Sequence, residues 1–299
     1  MAIKSSQINV TDLDFEDIGA NLKSYLQGQD KLKDYNFEGS TMSVLIDLLA
    51  YSSHISAVNT NIAGSELFLD SAQIRKNVVS RAKDLGFVPA SEASASAIVD
   101  IAIKNVRNAD GTSPTISEMQ LQRGNQFNAM FDGYTYQFVV PNTIKPTQNG
   151  TTYNYASVPL VQGIYASDKF VFDSQIANPK FVLSNSRVDS SRIEVSVNSG
   201  GVSTAYVHAL DVSDIKTTSK VYYEQENEDG FREIYFGDGT LGAELIDGDA
   251  ITVTYIIVDT VHCNGVKNFS QVTSVNGYSD STITVTSNAA GGEEKESID

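Results

Sequence analysis

"YFGDGTLG", residues 235–242, sets Gly237, Gly239 and Gly242 at the spacing G-x-G-x-x-G. In a dinucleotide-binding α/β unit such a loop leaves a strand and opens a helix, whose first amides hold a pyrophosphate. In an antiparallel β protein an Asp-Gly pair turns the chain back on itself. The flanks decide between these. Glu233 to Phe236 read as a strand, but Ala243-Glu244-Leu245-Ile246-Asp247-Gly248 leads into another strand pattern, with Ile251, Val253, Tyr255 and Ile257 alternating against Thr252 and Thr254. No helix opens behind the glycines. Gly237, Asp238 and Gly239 are therefore expected to form a structural hairpin turn, with Gly242 at a bend or bulge.

The same period of two runs through much of the chain. Val99, Ile101 and Ile103 alternate with Asp100, Ala102 and Lys104, and Tyr134, Tyr136, Phe138 and Val140 with Thr135, Gln137 and Val139. Ile193, Val195 and Val197, then Ile283 and Val285, continue the pattern. Asp132-Gly133, Asn149-Gly150, Asp229-Gly230 and Asp247-Gly248 punctuate it as antiparallel connections require.

Upstream of the small-residue linker Ala90 to Ala97 the period changes to that of helices. Phe15, Ile18, Leu22 and Tyr25 recur behind the candidate caps Thr11 and Asp12, with Gly28 as a stop. Behind Ser40 and Thr41, the residues Val44, Leu48, Tyr51, Ile55, Val58 and Ile62 alternate steps of four and three. At 100° per residue they fall in a stripe roughly 80° wide. Leu45, Ile46 and Leu49 make a second apolar patch on the same helix, and a third helix carries Ile74, Val78, Ala82 and Leu85 before Gly86 and Pro89. The class is α+β: three bundle-forming helices over 1–92, then mainly antiparallel β domains over 93–185 and 186–287. The tail 288–299, with helix-start character, is expected to lead into a further C-terminal region. The oily seam has two coverings open to it, the chain's own helices or other chains. Isolated helices of this length are marginal, so something covers them.

Chemistry is sparse. Thirty-seven acidic against 21 basic residues give a formal charge of -16, with no Lys/Arg cluster able to neutralise a row of phosphates, so nucleic acid and anionic membrane are poor partners. The N-terminus lacks signal-peptide character, and the longest apolar run, near Ile251 to Val258, is too short for a bilayer. A soluble, non-exported protein is expected. The lone Cys263 excludes an internal disulfide and a multi-cysteine zinc site. His262 and Cys263, adjacent on a strand, face opposite ways. His54 falls on the polar flank of the second helix, about 80° from the seam, and His208 has no sequence-local partner. Glu224, Glu226, Glu228 and Asp229 lack the spacing of a calcium loop and read as a solvated hairpin tip. The matches to the glycosylation sequon at Asn9, Asn149 and Asn268 carry little weight without a secretion signal. No catalytic, cofactor or metal site is expected. A β-sandwich module binding carbohydrate or a host surface, suggested by 14 tyrosines, is the alternative from another class.

Two stretches carry a family likeness. "DYNFEGSTMSVLIDLLAYSSHISAVNTNIAGSELFLDSAQIRKNVVSRAKDLGFVPAS" (Asp34 to Ser91) and "REIYFGDGTLGAELIDGDAITVTYIIVDTVHCNGV" (Arg232 to Val266), with "VDSSRIEVSV" (Val188 to Val197), resemble the baseplate wedge protein of contractile-tailed bacteriophages of the myophage type, wedge subunit six of the J-like baseplate family. Thr260 stands where that family commonly has glycine ahead of its Asn-Gly. The resemblance implies a structural virion protein of the tail baseplate, assembled in the host cytoplasm, without a catalytic site or cofactor. It implies that the helices bundle with a second copy and with another wedge protein of the subunit-seven type. Small clamp wedge proteins then hold the bundle, neighbouring wedges join around the hub, and their rearrangement triggers sheath contraction. Val44, Leu48, Tyr51, Ile55, Val58 and Ile62, with Phe15, Ile18 and Leu22, are the expected partner-interface residues.

Overall fold

The computed structural model of the 299-residue chain describes residues 14–29, 41–210 and 214–297. The candidate caps Thr11, Asp12 and Ser40 and the sequon at Asn9 lie outside these residues. The chain divides into two compact units, one running to Val88 and one spanning Pro89–Ser297.

The first unit holds α1 (Phe15–Gln27), α2 (Thr41–Ser65) and α3 (Arg75–Asp84). Asp14 caps α1 by accepting the Phe15 amide at 2.6 Å, with Glu16 and Asp17 in the favourable first turn. Gly28 ends the helix as expected. α1 lies close on α2: a Cβ at Gly19 would sit 3.9 Å from that of Ala50. Between α2 and α3, the Glu66 carboxylate accepts the amides of Gln73 (2.9 Å) and Ile74 (3.2 Å) and the Asn77 side chain (2.7 Å). Desolvation, the largest single influence, would raise its pKa, but these bonds together outweigh it and hold the group below the usual carboxylate value. α3 closes with the Gly86 amide on Lys83 O and the Phe87 amide on Ala82 O, a Schellman ending.

The second unit contains β1 (Ser96–Ile103), β2 (Gln126–Phe131), β3 (Tyr134–Val139), β4 (Thr147–Asn149), β5 (Thr152–Gln162), β6 (Ile164–Val171), β7 (Phe181–Val182), β8 (Glu194–Ser199), β9 (Val202–His208), β10 (Val221–Glu226), β11 (Arg232–Phe236), β12 (Ala250–Ile257), β13 (Phe269–Gln271) and β14 (Ser281–Ala290). Two seven-stranded sheets result. One runs β13-β2-β3-β5-β1-β14 with β4 beside β5, the other β6-β12-β8-β9-β10-β11-β7. All pairings are antiparallel except β9 with β10. The class is α+β, as the two periodicities indicate.

Each sheet rolls around its own core. Val99, Ile101, Ile103, Phe127, Phe138, Tyr153 and Tyr155 centre the first, and the hydroxyls of Tyr153 and Tyr155 donate to Pro114 O and Met119 O, so neither buried phenol is unpaired. Val195, Val197, Ile234, Ile251, Val253 and Tyr255 centre the second, where Phe170 of β6 and Phe181 of β7, on opposite edges, bring their rings to 5.3 Å. Tyr134, first of the alternating set of β3, is exposed at the Asp132-Gly133 turn.

The sheets do not divide at residue 185. β6 precedes that point and joins the second sheet, while β13 and β14 return to the first. The crossing is made at Gly163, between β5 and β6. Its φ is +126°, and a Cβ there would stand 2.4 Å from both Ile256 Cγ2 and Ile257 O, so a side chain would block the passage. Nor is Ala90 to Ala97 a free linker: Ser94, Ala95 and Ala97 are buried, and β1 begins at Ser96. The tail is not helical over its described residues. β14 runs through Ala290, and Glu293 then bridges to Ala93.

Candidate helical interface

Along α2 the buried residues are Ile46, Ala50 and Ala57, which lie roughly 120–160° around the helix from the centre of the seam. The chain therefore packs α2 through Ile46 and two alanines and turns the oily stripe outward. Val44 is 65% exposed, Leu48 62%, Tyr51 58%, Ile55 41%, Val58 38% and Ile62 51%. Leu45 and Leu49 of the second patch are exposed too, whereas its third member, Ile46, is buried. On α1 the expected stripe splits: Ile18 is buried, Leu22 is half-buried, and Phe15 and Tyr25 stay exposed. Ile18 is thus a packing residue of the unit.

The polar residues among these are largely self-satisfied. Ser56 Oγ donates to Ser52 O at 2.9 Å, and Thr60 Oγ1 to Ser56 O at 2.8 Å, so both hydroxyls can enter an apolar contact without losing a partner. Asp47 is the only carboxylate, and α2 carries no lysine or arginine. His54 is half-buried and Ala57 buried, so the flank read as polar is on the side of the helix that packs inward. Small residues at helical spacing, Gly19 on α1 with Ala50 and Ala57 on α2, are the signal that would have located this contact. By length and composition α2 is also, among the described residues, the one helix able to cross a membrane. This corrects the reading based on apolar runs: Ser52, Ser53, Ser56, Asn59, Thr60 and Asn61 interrupt every run but do not cancel the average.

The glycine loop is a turn, though not a hairpin between paired strands. β11 lies between β10 and β7, and β12 between β6 and β8. The loop instead closes on itself. Asp238 Oδ1 accepts the amides of Thr240 (2.9 Å) and Leu241 (3.1 Å), which holds its pKa down, and Gly239 N donates to Gly242 O at 3.1 Å. A Cβ at Gly237 would lie 2.4 Å from Leu241 O and 2.5 Å from Gly242 C. No helix follows. Beside the loop a cleft of about 230 Å³ is lined by Phe172, Phe181, Tyr235, Phe236, Lys180 and Glu244, among others.

The acidic run is only half a solvated tip. Glu224 and Glu226 point inward from alternate positions of β10 and are buried, while Glu228 and Asp229 remain in the turn. Glu224 pairs with the buried Arg232 at 3.0 Å, and His208 Nε2 lies 3.9 Å from its other oxygen. Burial raises the Glu224 pKa against the pull of Arg232 and lowers that of His208, whose ring stacks on Tyr222 at 5.1 Å. Glu226 pairs with Lys295 at 3.0 Å. Partners this distant in sequence (His208 with Glu224, Glu226 with Lys295) leave no local motif. His262 and Cys263 fall in a 3-10 turn, the histidine exposed and the cysteine buried, with burial pushing the thiol up to about 12. Among the described residues no group of three or more His, Cys, Asp or Glu is placed to hold a metal.

A 25-residue helix with an exposed apolar stripe thus precedes, along the chain, two rolled sheets with interleaved strands. Two family models match this chain: the helical domain of gp6-like baseplate wedge proteins over residues 14–87, and the third domain of the bacteriophage baseplate wedge protein gp6 over residues 167–263. The chain is a baseplate wedge protein of this gp6-like family, a structural component of the phage tail baseplate. It is similar to baseplate wedge protein gp6 of Enterobacteria phage T4, with 27% identity over 249 residues, covering 81% of this chain and 35% of the relative. The chain thus spans about a third of that relative's length. The second match begins within β6 and ends at Cys263, following the second sheet rather than a division at residue 185.

Proposed function

We propose that this chain builds the baseplate wedge by burying the α2 seam, Val44, Leu48, Tyr51, Ile55, Val58 and Ile62 with Phe15 and Leu22 of α1, against other wedge polypeptides. The partners proposed are a second copy of the chain and another wedge protein of the subunit-seven type, held by small clamp proteins and joined to neighbouring wedges around the hub. Assembly takes place in the host cytoplasm, and rearrangement of the finished ring takes part in triggering sheath contraction. The role is structural rather than catalytic, in keeping with the likeness to a baseplate wedge protein.

One observation carries this reading: six apolar side chains on one helix, each more than a third exposed, opposite the face the chain packs for itself. Monomeric proteins rarely leave a contiguous apolar patch of this extent uncovered. The test is co-purification of the full chain with co-expressed wedge proteins, which Leu48→Asp with Ile55→Asp should abolish. Vesicle flotation of the same chain separates this from membrane insertion of α2, since stable flotation in the absence of wedge proteins would contradict the bundling role.

The binding-module alternative has the aromatic-lined cleft in its favour, with Tyr223 and Tyr235 stacked at 5.1 Å near it. Against it, Tyr153, Tyr155, Tyr206, Tyr222 and Tyr255 are core residues and form no binding platform. Selective glycan-array binding that is lost in Tyr235→Ala would establish it.

A further inference from the structure

The second unit carries a feature that packing alone does not explain. Where the chain enters this unit, at Pro89–Ser94, and where it leaves β14, at Gly291–Glu296, the two segments are tied together. Ala93 and Glu293 exchange both backbone bonds (3.0 and 3.2 Å), Glu296 N donates to Ala90 O at 3.2 Å, and Ala90 N donates to the Glu296 carboxylate at 2.8 Å. The pair is then fastened by polar side chains: Asn264 exchanges two bonds with the Gly292 backbone (2.8 and 2.9 Å), and the rest come from β11 and from the turns beside the second sheet. Arg232 donates to Pro89 O at 2.9 Å while pairing with Glu224. Lys295 donates to Gly230 O at 2.9 Å while pairing with Glu226. Asp189 accepts both the amide (3.0 Å) and the hydroxyl (2.6 Å) of Ser94.

No residue of either segment belongs to a hydrophobic cluster; the apolar anchors begin only at Ala95 and Ala289. Gly291, with φ +81°, stands just beyond the second anchor. A contact of this kind opens on different terms from a core. Burying Glu224, Glu226 and Arg232 costs desolvation that their pairing must offset, and opening returns that hydration. Apolar surface regains nothing comparable on exposure to water. Glu92, inside the strap, has a buried oxygen without a hydrogen-bond partner, a further reason for the closed state to be held lightly.

We propose that Pro89–Ser94 and Gly291–Glu296 form a strap that opens as one unit, hinged at Ala95 and Gly291, while both sheets stay folded. The strap gives the two points where the chain enters and leaves the β unit a freedom of movement that does not require melting the sheets. The inference rests on contacts inside the β unit alone and holds whether or not the α2 seam is an interface.

Native-state hydrogen exchange on the full chain in increasing low urea tests it. The amides of Ala90, Ala93, Ser94, Glu293 and Glu296 should exchange through one shared opening with weak urea dependence, well before those of Ile101 and Val253. Lys295→Met should speed the strap amides about tenfold or more and leave the core amides within about twofold, because it removes from the strap the cation that pairs with the buried Glu226 carboxylate and the donor to Gly230 O. The double variant Glu226→Leu with Lys295→Met, an apolar pair in the same place, should restore slow exchange. Strap and core amides that share one rate and one urea dependence would overturn the proposal. So would a Lys295→Met effect of equal size on both sets, or a double variant as fast as the single one.

Discussion

Placing aspartates at Leu48 and Ile55 separates the two jobs α2 can have. Both side chains lie outward, 62% and 41% exposed, so together they leave about one whole side chain of apolar surface uncovered. Covering that much is worth about 1.5–3 kcal/mol to a partner. Each carboxylate forced into an apolar contact without a counter-charge adds several kcal/mol of penalty. The sum is on the order of 6 kcal/mol or more per helix, about 10⁴-fold in association. In the free chain the same two changes cost only helix propensity, about 0.5 kcal/mol each, a shift of a few degrees in Tm. Ala50→Asp inverts the pattern, because Ala50 is fully buried at the Gly19 contact and a charge there should unfold the helical unit itself. The assay pairs circular dichroism and thermal melting of each variant with co-purification and light scattering alongside co-expressed wedge proteins. The expected result is a folded double variant that no longer assembles. Assembly at wild-type yield would refute the interface; loss of helix in the double variant without partners would show that the seam supports the chain's own fold.

Gly237→Ala should destabilise the β unit by about 2–3 kcal/mol, because its methyl would meet backbone atoms that cannot rotate away. Gly239→Ala should cost about 1–2 kcal/mol, since φ +81° strains any residue with a Cβ but the nearest atom is a side chain at 3.6 Å; urea midpoints ranking the two the other way would contradict this reading of the loop. Cys263, fully buried with its thiol pushed up to about 12, should resist alkylation at pH 8 and label along the urea unfolding curve, so rapid stoichiometric labelling of the native chain is the contrary outcome. Glu92 has its pKa raised by burial, ahead of the opposing pull of Lys295, Arg187 and Arg232. A raised folded-state value means that the folded chain binds the proton more readily, so this contribution favours folding below the unfolded-state pKa and is lost as pH rises through the folded-state value. Glu92→Gln should therefore raise the urea midpoint relative to the parent at pH 7, with the gain fading toward pH 4. A gain independent of pH would mean that the carboxyl is not the cause.

How far the sequence could be read follows from the range of the interactions involved. Helix and strand periods are local, which is why Val99, Ile101 and Ile103 or Ile251, Val253 and Tyr255 could be assigned to cores directly, and why the absence of a helix after Gly242 could be seen in a dozen residues. The helical period of the seam was legible for the same reason. The face the chain packs for itself was not, because beside Ile46 it is made of Gly19, Ala50 and Ala57, whose small side chains give little hydrophobic signal yet allow two backbones to approach. Sheet membership was hidden for a second reason. A strand's alternation says that one face is buried but not against which sheet, so β6 and β14 change places with respect to a linear division, and the crossing depends on one glycine, Gly163, whose neighbours lie more than ninety residues away. Charge follows the same logic. Glu224 and Glu226 read as a wet tip beside Glu228 and Asp229, because the cations that justify their burial, Arg232 and Lys295, come from the next strand and from the far end of the chain. A carboxylate on a strand is therefore assigned to water or core by its register and its distant partner, and composition near a turn cannot supply either.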